Sequence, residues 1–205
     1  MTKNKIYLID VTNRDGVQTA KLGLAKLEKT MTNLYLNEMG IYQSEFGFPT
    51  TKHETNYLNA NLELAQMGVL APIVLSGWCR AIVADVEESV RLTKVQHLNI
   101  SISTSEQMTF GKFQERVSRR PDLKDPGKPN VIGMTVDAIL RAKELGIQTI
   151  GVNAEDASRT DDDFLIEFAR AARDNGADRI RYCDTLGYDD PFTIYERIKK
   201  LAREV

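Results

Sequence analysis

Two adjacent stretches decide the fold and point to the function of this chain: Ile6-Tyr7-Leu8-Ile9-Asp10-Val11 and, two residues later, Arg14-Asp15-Gly16-Val17-Gln18. An apolar run that ends in a polar turn containing glycine is typical of a buried strand that delivers side chains to a cleft. Arg14 suits a substrate carboxylate or carbonyl, and Asp15 suits a hard divalent metal. The alternative interpretation is a solvated turn, because Asp-Gly is a common turn pair.

Length and composition indicate a single globular domain. The chain has 205 residues, of which 42% are hydrophobic and 27% are charged, and its net charge is −2. Such a chain can bury a sizeable core, and it lacks the basic excess that favours a nucleic-acid partner. No apolar run approaches the roughly 18 residues of a membrane span, and the start of the chain does not resemble a signal peptide. Cys79 and Cys183 are therefore expected to be free thiols in a cytoplasmic protein.

Strand-like runs alternate with helical patterns along the whole chain. An apolar stripe through Ala20, Leu24, Leu27, Met31 and Leu34 predicts one helix that ends at Gly40. Further helices are predicted to begin at Thr135, at Thr160 and at Pro191. The six strand-like runs are Ile6–Val11, Ile41–Phe46, Pro72–Ser76, Leu98–Ser103, Thr149–Asn153 and Arg179–Cys183.

This alternation predicts an α/β fold with a parallel sheet and outer helices. A doubly wound sheet and a TIM (β/α)8 barrel both fit the pattern. No Gly-x-Gly-x-x-Gly follows the first strand, and polar residues follow several strands, so we favour the barrel. Residues 1–205 then supply about the first six βα units of one catalytic domain, whereas full barrels have eight units in about 250 residues. Either another chain or a missing part supplies the remaining two units, or six strands form a complete open sheet.

Several later strands also end in residues suited to chemistry. Glu45 lies among apolar neighbours, where an unpaired carboxylate is costly, so we expect it to pair with Arg14. Arg80 follows the third strand and offers a second cation. Glu155, which precedes another acid after the fifth strand, is a candidate general base or acid. Thr185 follows the sixth strand beside a carboxylate.

Four motifs in this order resemble the 2-isopropylmalate synthase/homocitrate synthase family of metal-dependent TIM-barrel enzymes. The motifs are Asp-x-Thr-x-Arg-Asp-Gly-x-Gln at 10–18, Glu-x-Gly-x-Pro at 45–49, Glu-Asp-Ala-Ser-Arg at 155–159 and Asp-Thr-x-Gly at 184–187. The segments Trp78-Cys79-Arg80 and Ser105-Glu106-Gln107-Met108 are most similar to homocitrate synthases of nitrogen-fixing bacteria. The resemblance implies condensation of acetyl-CoA with 2-oxoglutarate and water to give homocitrate and CoA.

The resemblance also implies roles for individual residues. Arg14 would polarise the ketone of the 2-oxo acid, and Glu45 would hold Arg14 in place. Glu155 would deprotonate acetyl-CoA. The remaining candidates would contact the 2-oxo acid: Gln18, Arg80, Asn153 and Thr185. Arg80 would meet a distal carboxylate of that substrate.

Asp15 would be one ligand of a divalent metal, Mg²⁺ or Mn²⁺ or alternatively Zn²⁺. The family completes this metal site with a His-x-His motif that is not in this chain. His53 and His97 lie in the wrong places to replace it, so the remaining ligands would come from a complementary C-terminal chain or from a homo-oligomer. Asn13 stands where the family usually carries Leu. Gly151 and Asn153 stand where lysine-pathway homocitrate synthases carry Arg and Ser, and these two departures weaken the assignment of 2-oxoglutarate.

A basic, proline-containing insertion at 112–130 follows the fourth strand, and it is either a lid that meets the phosphates of CoA or a solvated loop. Two other functions stay open for the whole chain. One is a related condensing enzyme or lyase that acts on another 2-oxo acid. The other is a non-catalytic barrel subunit that binds an acyltransferase.

Overall fold

The computed structural model describes residues 5–118 and 127–205, with the backbone alone described for residues 113–118. The strands are β1 (Ile9–Asp10), β2 (Gln43–Gly47), β3 (Val74–Arg80), β4 (His97–Ser103), β5 (Thr149–Glu155) and β6 (Arg179–Cys183). The helices are α1 (Lys26–Glu38), α2 (Lys52–Gln66), α3 (Val83–Leu92), α4 (Glu106–Ser118), α5 (Gly127–Glu144), α6 (Asp162–Asp174) and α7 (Pro191–Glu204).

The sheet has the strand order β1-β2-β3-β4-β5-β6, and the pairs β1–β2, β2–β3 and β5–β6 are parallel. Consecutive strands with helices between them follow the order of a TIM barrel, whereas a doubly wound sheet reverses direction at a switch point. The predicted fold class, the first six units of such a barrel, is confirmed. No helix in the described ranges is long and apolar enough to cross a membrane.

Several predicted boundaries are wrong, and the largest error concerns the first strand. Only Ile9 and Asp10 pair with β2, and Ile6, Tyr7 and Leu8 are 84%, 53% and 62% exposed. β1 is the first strand in the order, so it has a neighbouring strand on one side only. The apolar run therefore does not become a buried strand over its predicted length.

Two other strands are longer than predicted, and this changes where two candidate residues lie. β3 continues through Gly77-Trp78-Cys79 to Arg80, and β5 continues to Glu155, so both residues end strands rather than follow them. Gly77 permits a close approach of the loop that follows β2, because a Cβ on this residue would lie 2.4 Å from Cγ of Pro49.

The helix starts also differ from the prediction. α1 begins at Lys26, after the first two members of the predicted stripe. α5 begins at Gly127, and Thr135 lies inside it, where its hydroxyl donates to the Val131 carbonyl at 2.7 Å. Asp161, not Thr160, caps α6. The predicted start of α7 at Pro191 is confirmed.

The predicted basic insertion is largely helical where it is described, because α4 reaches Ser118 and α5 begins at Gly127. Arg119, Arg120, Pro121, Lys124 and Pro126 lie outside the described residues. The insertion therefore does not form a loop over its whole length.

The chain divides into two compact units. The first contains the chain up to Cys79 together with Glu87–Asn99, and the second contains Arg80–Val86 and Ile100–Val205. The core of the first unit is formed by Leu36, Phe46, Tyr57, Leu58, Leu70, Ile73 and Leu75. In the second unit the buried apolar residues include Ile100, Val131, Ile139, Ile150, Val152, Phe164 and Phe168.

Candidate active site

In the first unit, Arg14 is bound to a completely buried carboxylate. Its Nε donates to Oε1 of Glu45 at 2.6 Å, and its Nη2 lies 2.5 Å from the same oxygen. The Glu45 side chain is 0% exposed and that of Arg14 is 16% exposed. The predicted pair is therefore confirmed. It holds a guanidinium, which has five N–H donors, at the boundary between core and solvent.

The aromatic ring of Trp78 provides a second support for Arg14. The guanidinium carbon lies 4.9 Å from the centre of the Trp78 ring, and that ring packs edge-on against Phe48 with 5.1 Å between ring centres. The face of an aromatic ring attracts a planar cation electrostatically, and this attraction adds to the stabilisation from the ion pair. Glu45 and Trp78 therefore restrict the orientation of the guanidinium plane.

The loop that carries Arg14 is anchored by Asn13. This side chain is 0% exposed, and its Nδ2 donates to the Lys29 carbonyl at 2.8 Å and to Oδ1 of Asn33 at 2.9 Å. The backbone N–H groups of Arg14 and of the next two residues all point at the Val11 carbonyl. Asn13 thus fixes the loop to α1 one residue before the cation. The sequence offered no signal of this role beyond the departure from the family's usual residue.

Asn99 on β4 also binds Glu45, and it is not among the residues predicted from the sequence. Its Nδ2 donates to Oε2 of Glu45 at 2.6 Å and to Oγ of Ser76 at 3.1 Å. Ser76 also accepts from Gln43 at 2.5 Å. A signal existed, because polar Asn99, Ser101 and Ser103 alternate with apolar residues along β4, which places the three on one face of the strand.

Asp15 and Gln18 lie beside Arg14 in sequence but are more open to solvent. Oδ1 of Asp15 accepts from Nη1 of Arg14 at 2.8 Å, and the Asp15 side chain is 57% exposed. Gln18 ends a short 3-10 turn, Gly16–Gln18, with an exposed side chain. Asp15 therefore presents its carboxylate to solvent, where a cation can reach it, whereas Gln18 presents an exposed amide.

The described residues fit a divalent metal through Asp15 alone. Within 5–118 and 127–205, no group of three or more His, Cys, Asp and Glu side chains is arranged to hold an ion. His53 is exposed in the first turn of α2, and His97 begins β4. A hard cation accepts carboxylate oxygen, so Asp15 suits one coordination position and the other ligands have to come from elsewhere.

In the second unit, Glu155 at the end of β5 is surrounded by donors. Ser101 donates to Oε1 and Ser103 to Oε2, each at 2.8 Å, and Nζ of Lys112 lies 3.1 Å from Oε2. Burial by itself would raise the pKa of Glu155. The two serine hydrogen bonds and the lysine charge outweigh burial and hold the pKa below its ordinary value. Glu155 is therefore an ionised carboxylate at neutral pH.

Asp156 is a structural residue rather than a second base. It is 1% exposed and has a left-handed backbone with φ of 60°. Burial opposes its ionisation, but Arg159 and Ser105 donate to its carboxylate and hold its pKa below the usual range. Its N–H donates to Oγ1 of Thr185 at 2.9 Å. The structure thus links Thr185, which is exposed, to the segment directly after Glu155.

Asn153 and Arg80 have contrasting environments. Asn153 precedes Glu155 by two residues on β5 and is 2% exposed, and its Oδ1 has no hydrogen-bond partner within the described part of the chain. Arg80 forms a two-pronged ion pair with Asp85, at 2.7 and 2.9 Å, with 59% of its side chain exposed. Asn153 therefore carries an unused acceptor, whereas the Arg80 guanidinium is engaged by a neighbouring carboxylate.

The fold and these clusters define the class of protein: an α/β chain of TIM-barrel type with charged residues on and after its strands. The chain belongs to the HMGL-like family, whose model matches residues 5–205.

Curated relatives within this class carry the names of condensing synthases. The chain is 60% identical to a citrate (Re)-synthase of Dehalococcoides mccartyi over 202 residues, covering 98% of this chain and 46% of the relative. It is 41% identical to 2-isopropylmalate synthase 2 of Caldanaerobacter subterraneus and 34% identical to homocitrate synthase 1 of Nostoc. These matches cover 98% and 97% of this chain, and 48% of each relative. The predicted family is confirmed, and the chain spans about half the length of these relatives.

Solved structures agree on the fold. The HMG-CoA lyase of Bacillus subtilis superposes with a TM-score of 0.70 at 14% identity, covering all of this chain and 67% of the lyase. The hydroxymethylglutaryl-CoA lyase of Pseudomonas aeruginosa gives the same TM-score at 16% identity, with 98% and 65% of the two chains covered. Identities this low establish the barrel class and nothing about the reaction.

Proposed function

We propose that this chain contributes catalytic residues to an acyl-CoA condensing enzyme that joins acetyl-CoA to a 2-oxo acid. The observation that carries the proposal is Arg14, held by fully buried Glu45 and by the face of Trp78. Attack on a ketone turns its oxygen into an alkoxide, and a fixed guanidinium stabilises that charge without reorganising. A purely structural subunit has no need for a cation held in this way.

The other candidates take complementary roles in this proposal. Glu155 removes a proton from the methyl carbon of acetyl-CoA, and that carbon then forms a bond to the ketone carbon of the 2-oxo acid. The alkoxide takes up a proton, and water cleaves the thioester to release CoA and the free acid. Thr185, Gln18 and Asn153 are proposed to hydrogen-bond the 2-oxo acid.

Asp15 is proposed to hold one position of a divalent metal. Mg²⁺ and Mn²⁺ accept carboxylate oxygen, and Zn²⁺ does so as well. When bound, such an ion supplies Lewis-acid polarisation of the substrate's oxygen atoms. The exposure of Asp15 beside Arg14 supports this role.

The substrate is proposed to be a 2-oxo acid with a second carboxylate. Relatives named citrate (Re)-synthase and homocitrate synthase both appear, and the former is the more similar of the two. We therefore propose oxaloacetate as the first candidate substrate. The acid that the sequence motifs implied, 2-oxoglutarate, is the second candidate. Arg80 is proposed to meet the distal carboxylate of that substrate while Asp85 holds the Nε–Nη2 edge of its guanidinium.

A complementary segment is proposed to complete the domain. β6 pairs with β5 and is the last strand in the order, and its residues are all half-buried. Beside it, Ile180, Ile198, Leu201 and Val205 help to line a cavity of about 360 Å³. Helix α7 also carries Phe192 and Tyr195, which are 84% and 61% exposed. The relatives are about twice as long as their match to this chain. We propose that a segment corresponding to their remaining length covers β6 and α7, either on the same polypeptide or on a second one.

The test is a thiol-release assay with acetyl-CoA and a panel of oxaloacetate, 2-oxoglutarate, 2-oxoisovalerate and pyruvate. The chain is assayed alone and with the polypeptide that supplies the rest of its relatives' length, with and without Mg²⁺ or Mn²⁺. We expect metal-dependent CoA release with oxaloacetate once the complement is present. A stable complex that releases no CoA with any of the acids would overturn the proposal in favour of a non-catalytic subunit. Cleavage of citrate or homocitrate thioesters without net synthesis would favour a lyase.

A further inference from the structure

Among the described side chains of the basic insertion, that of Lys112 places its charge on a candidate catalytic group. It extends from α4, and its Nζ lies 2.6 Å from Oγ of Ser103 and 3.1 Å from Oε2 of Glu155. Its side chain is 48% exposed, and that of Glu155 is 26% exposed. Both charged ends therefore reach solvent from which a ligand can approach.

Two of the three N–H donors of the Lys112 ammonium are used by its contacts. A lysine ammonium has three N–H groups, of which one serves Ser103 and one serves Glu155. The third has no partner in the described part of the chain. A donor in this position is next to the carboxylate oxygen that, in the proposed reaction, takes the proton of the thioester's methyl group.

We propose that Lys112 donates to the thioester carbonyl oxygen of acetyl-CoA and stabilises the enolate that forms when Glu155 removes the methyl proton. The inference rests on the proposed function and assigns a further residue to the same site. In an acetyl thioester the carbonyl oxygen is bonded to the carbon adjacent to the methyl group, so a donor adjacent to the base lies near the oxygen that gains charge. Fixed donors at such an oxygen are a large source of catalysis.

The chemistry of Glu155 explains why a second charged group is useful. Its carboxylate accepts two serine hydrogen bonds, and such acceptance weakens it as a base. A weak base removes a proton from carbon only when the resulting negative charge is stabilised elsewhere. Lys112 would supply that stabilisation on the enolate oxygen, while the C–H bonding electrons move into the carbon–carbon double bond and the carbonyl electrons move to oxygen.

The inference is tested by exchange of the acetyl-CoA methyl protons with deuterium from D₂O, followed by NMR, on the preparation that turns over in the thiol-release assay. Lys112→Met should slow the exchange by about 10²–10³-fold, the range found when one oxyanion donor is removed. Lys112→Arg should retain part of the rate because it keeps a donor and a charge. Lys143→Met, which removes an exposed lysine from α5, is the matched control and should exchange at the normal rate.

Two comparisons separate the possible failures. If Lys112→Met exchanges normally while Glu155→Gln does not exchange, the role of Lys112 is wrong and the proposed function stands. If the unaltered protein does not exchange, or if Glu155→Gln exchanges normally, the proposed function itself fails.

A third comparison tests whether Lys112 binds the phosphates of CoA instead. Acetyl-pantetheine lacks those phosphates, so an enolate-stabilising Lys112 should give the same loss with this substrate as with acetyl-CoA. A loss that disappears with acetyl-pantetheine, together with weaker binding of CoA measured by calorimetry, would overturn the inference.

Discussion

Asn99 donates to the oxygen of Glu45 that Arg14 does not use. The 2.6 Å contact from Nδ2 of Asn99 to Oε2 of Glu45 complements the 2.6 Å contact from Arg14 to Oε1. Asn99 and Glu45 are both 0% exposed. A buried carboxylate is tolerated only when it is paired and hydrogen-bonded, so the position of Arg14 depends on Asn99 through Glu45.

Replacement of Asn99 by leucine removes a buried donor and keeps the branched outline of the side chain. We expect the free energy of unfolding to fall by about 1.5–3 kcal/mol, as for a hydrogen bond to a charged group. Urea denaturation measures the change. In a double-mutant cycle with Glu45→Gln, a coupling energy near zero would contradict a direct contribution of Asn99 to Glu45.

Asn13 gives a second test of a contact that only the structure shows. Asn13→Leu, the change toward the family's usual residue, should lower the free energy of unfolding by about 1–3 kcal/mol because the acceptors on Lys29 and Asn33 lose their donor. The control is Thr32→Ala on α1, whose hydroxyl donates to the Glu28 carbonyl of its own helix, and this change should stay within about 0.5 kcal/mol. An unchanged urea midpoint for Asn13→Leu would mean that the loop is anchored by its backbone alone.

Arg14→Lys separates the catalytic role from a structural one. The ion pair with Glu45 can persist, but the planar group that meets Glu45, Asp15 and Trp78 together is lost. We expect kcat/KM in the thiol-release assay to fall by about 10²–10³-fold, with little change in the urea midpoint. Parallel loss of stability and activity would show that Arg14 is structural.

Asp15→Asn tests the proposed metal ligand. The side chain is more than half exposed, so stability should be unchanged. The Mn²⁺ concentration that gives half-maximal activity should rise by about tenfold or more, because the amide lacks the charge of a carboxylate. An unchanged Mn²⁺ dependence would remove Asp15 from the metal site.

The lowered pKa of Glu155 predicts a specific acid sensitivity. The stabilisation is complete above the ordinary glutamate pKa of 4.5 and is lost as the pH falls through the lower value of the folded protein. Unfolding measured at successive pH values should therefore show stability falling below about pH 4.5, with a shallower decline in Glu155→Gln. Identical slopes in the two proteins would mean that Glu155 ionises equally in the folded and unfolded states.

The sequence determined the alternation of strands and helices, the barrel class and the family. Periodic apolar residues and short motifs are local properties, and they specify these features before any long-range contact forms. The same local logic predicted the Arg14–Glu45 pair, since an apolar setting demands a partner for the carboxylate.

Only the tertiary structure decided the surroundings of these residues. Asn99 reaches Glu45 across 54 positions of the chain, and Lys112 reaches Glu155 across 43. Neither spacing has a local signature, because strand register and the path of α4 set which side chains meet. The short β1 has the same cause: Ile6, Tyr7 and Leu8 form a strand-like run, but burial depends on neighbours that an edge strand lacks.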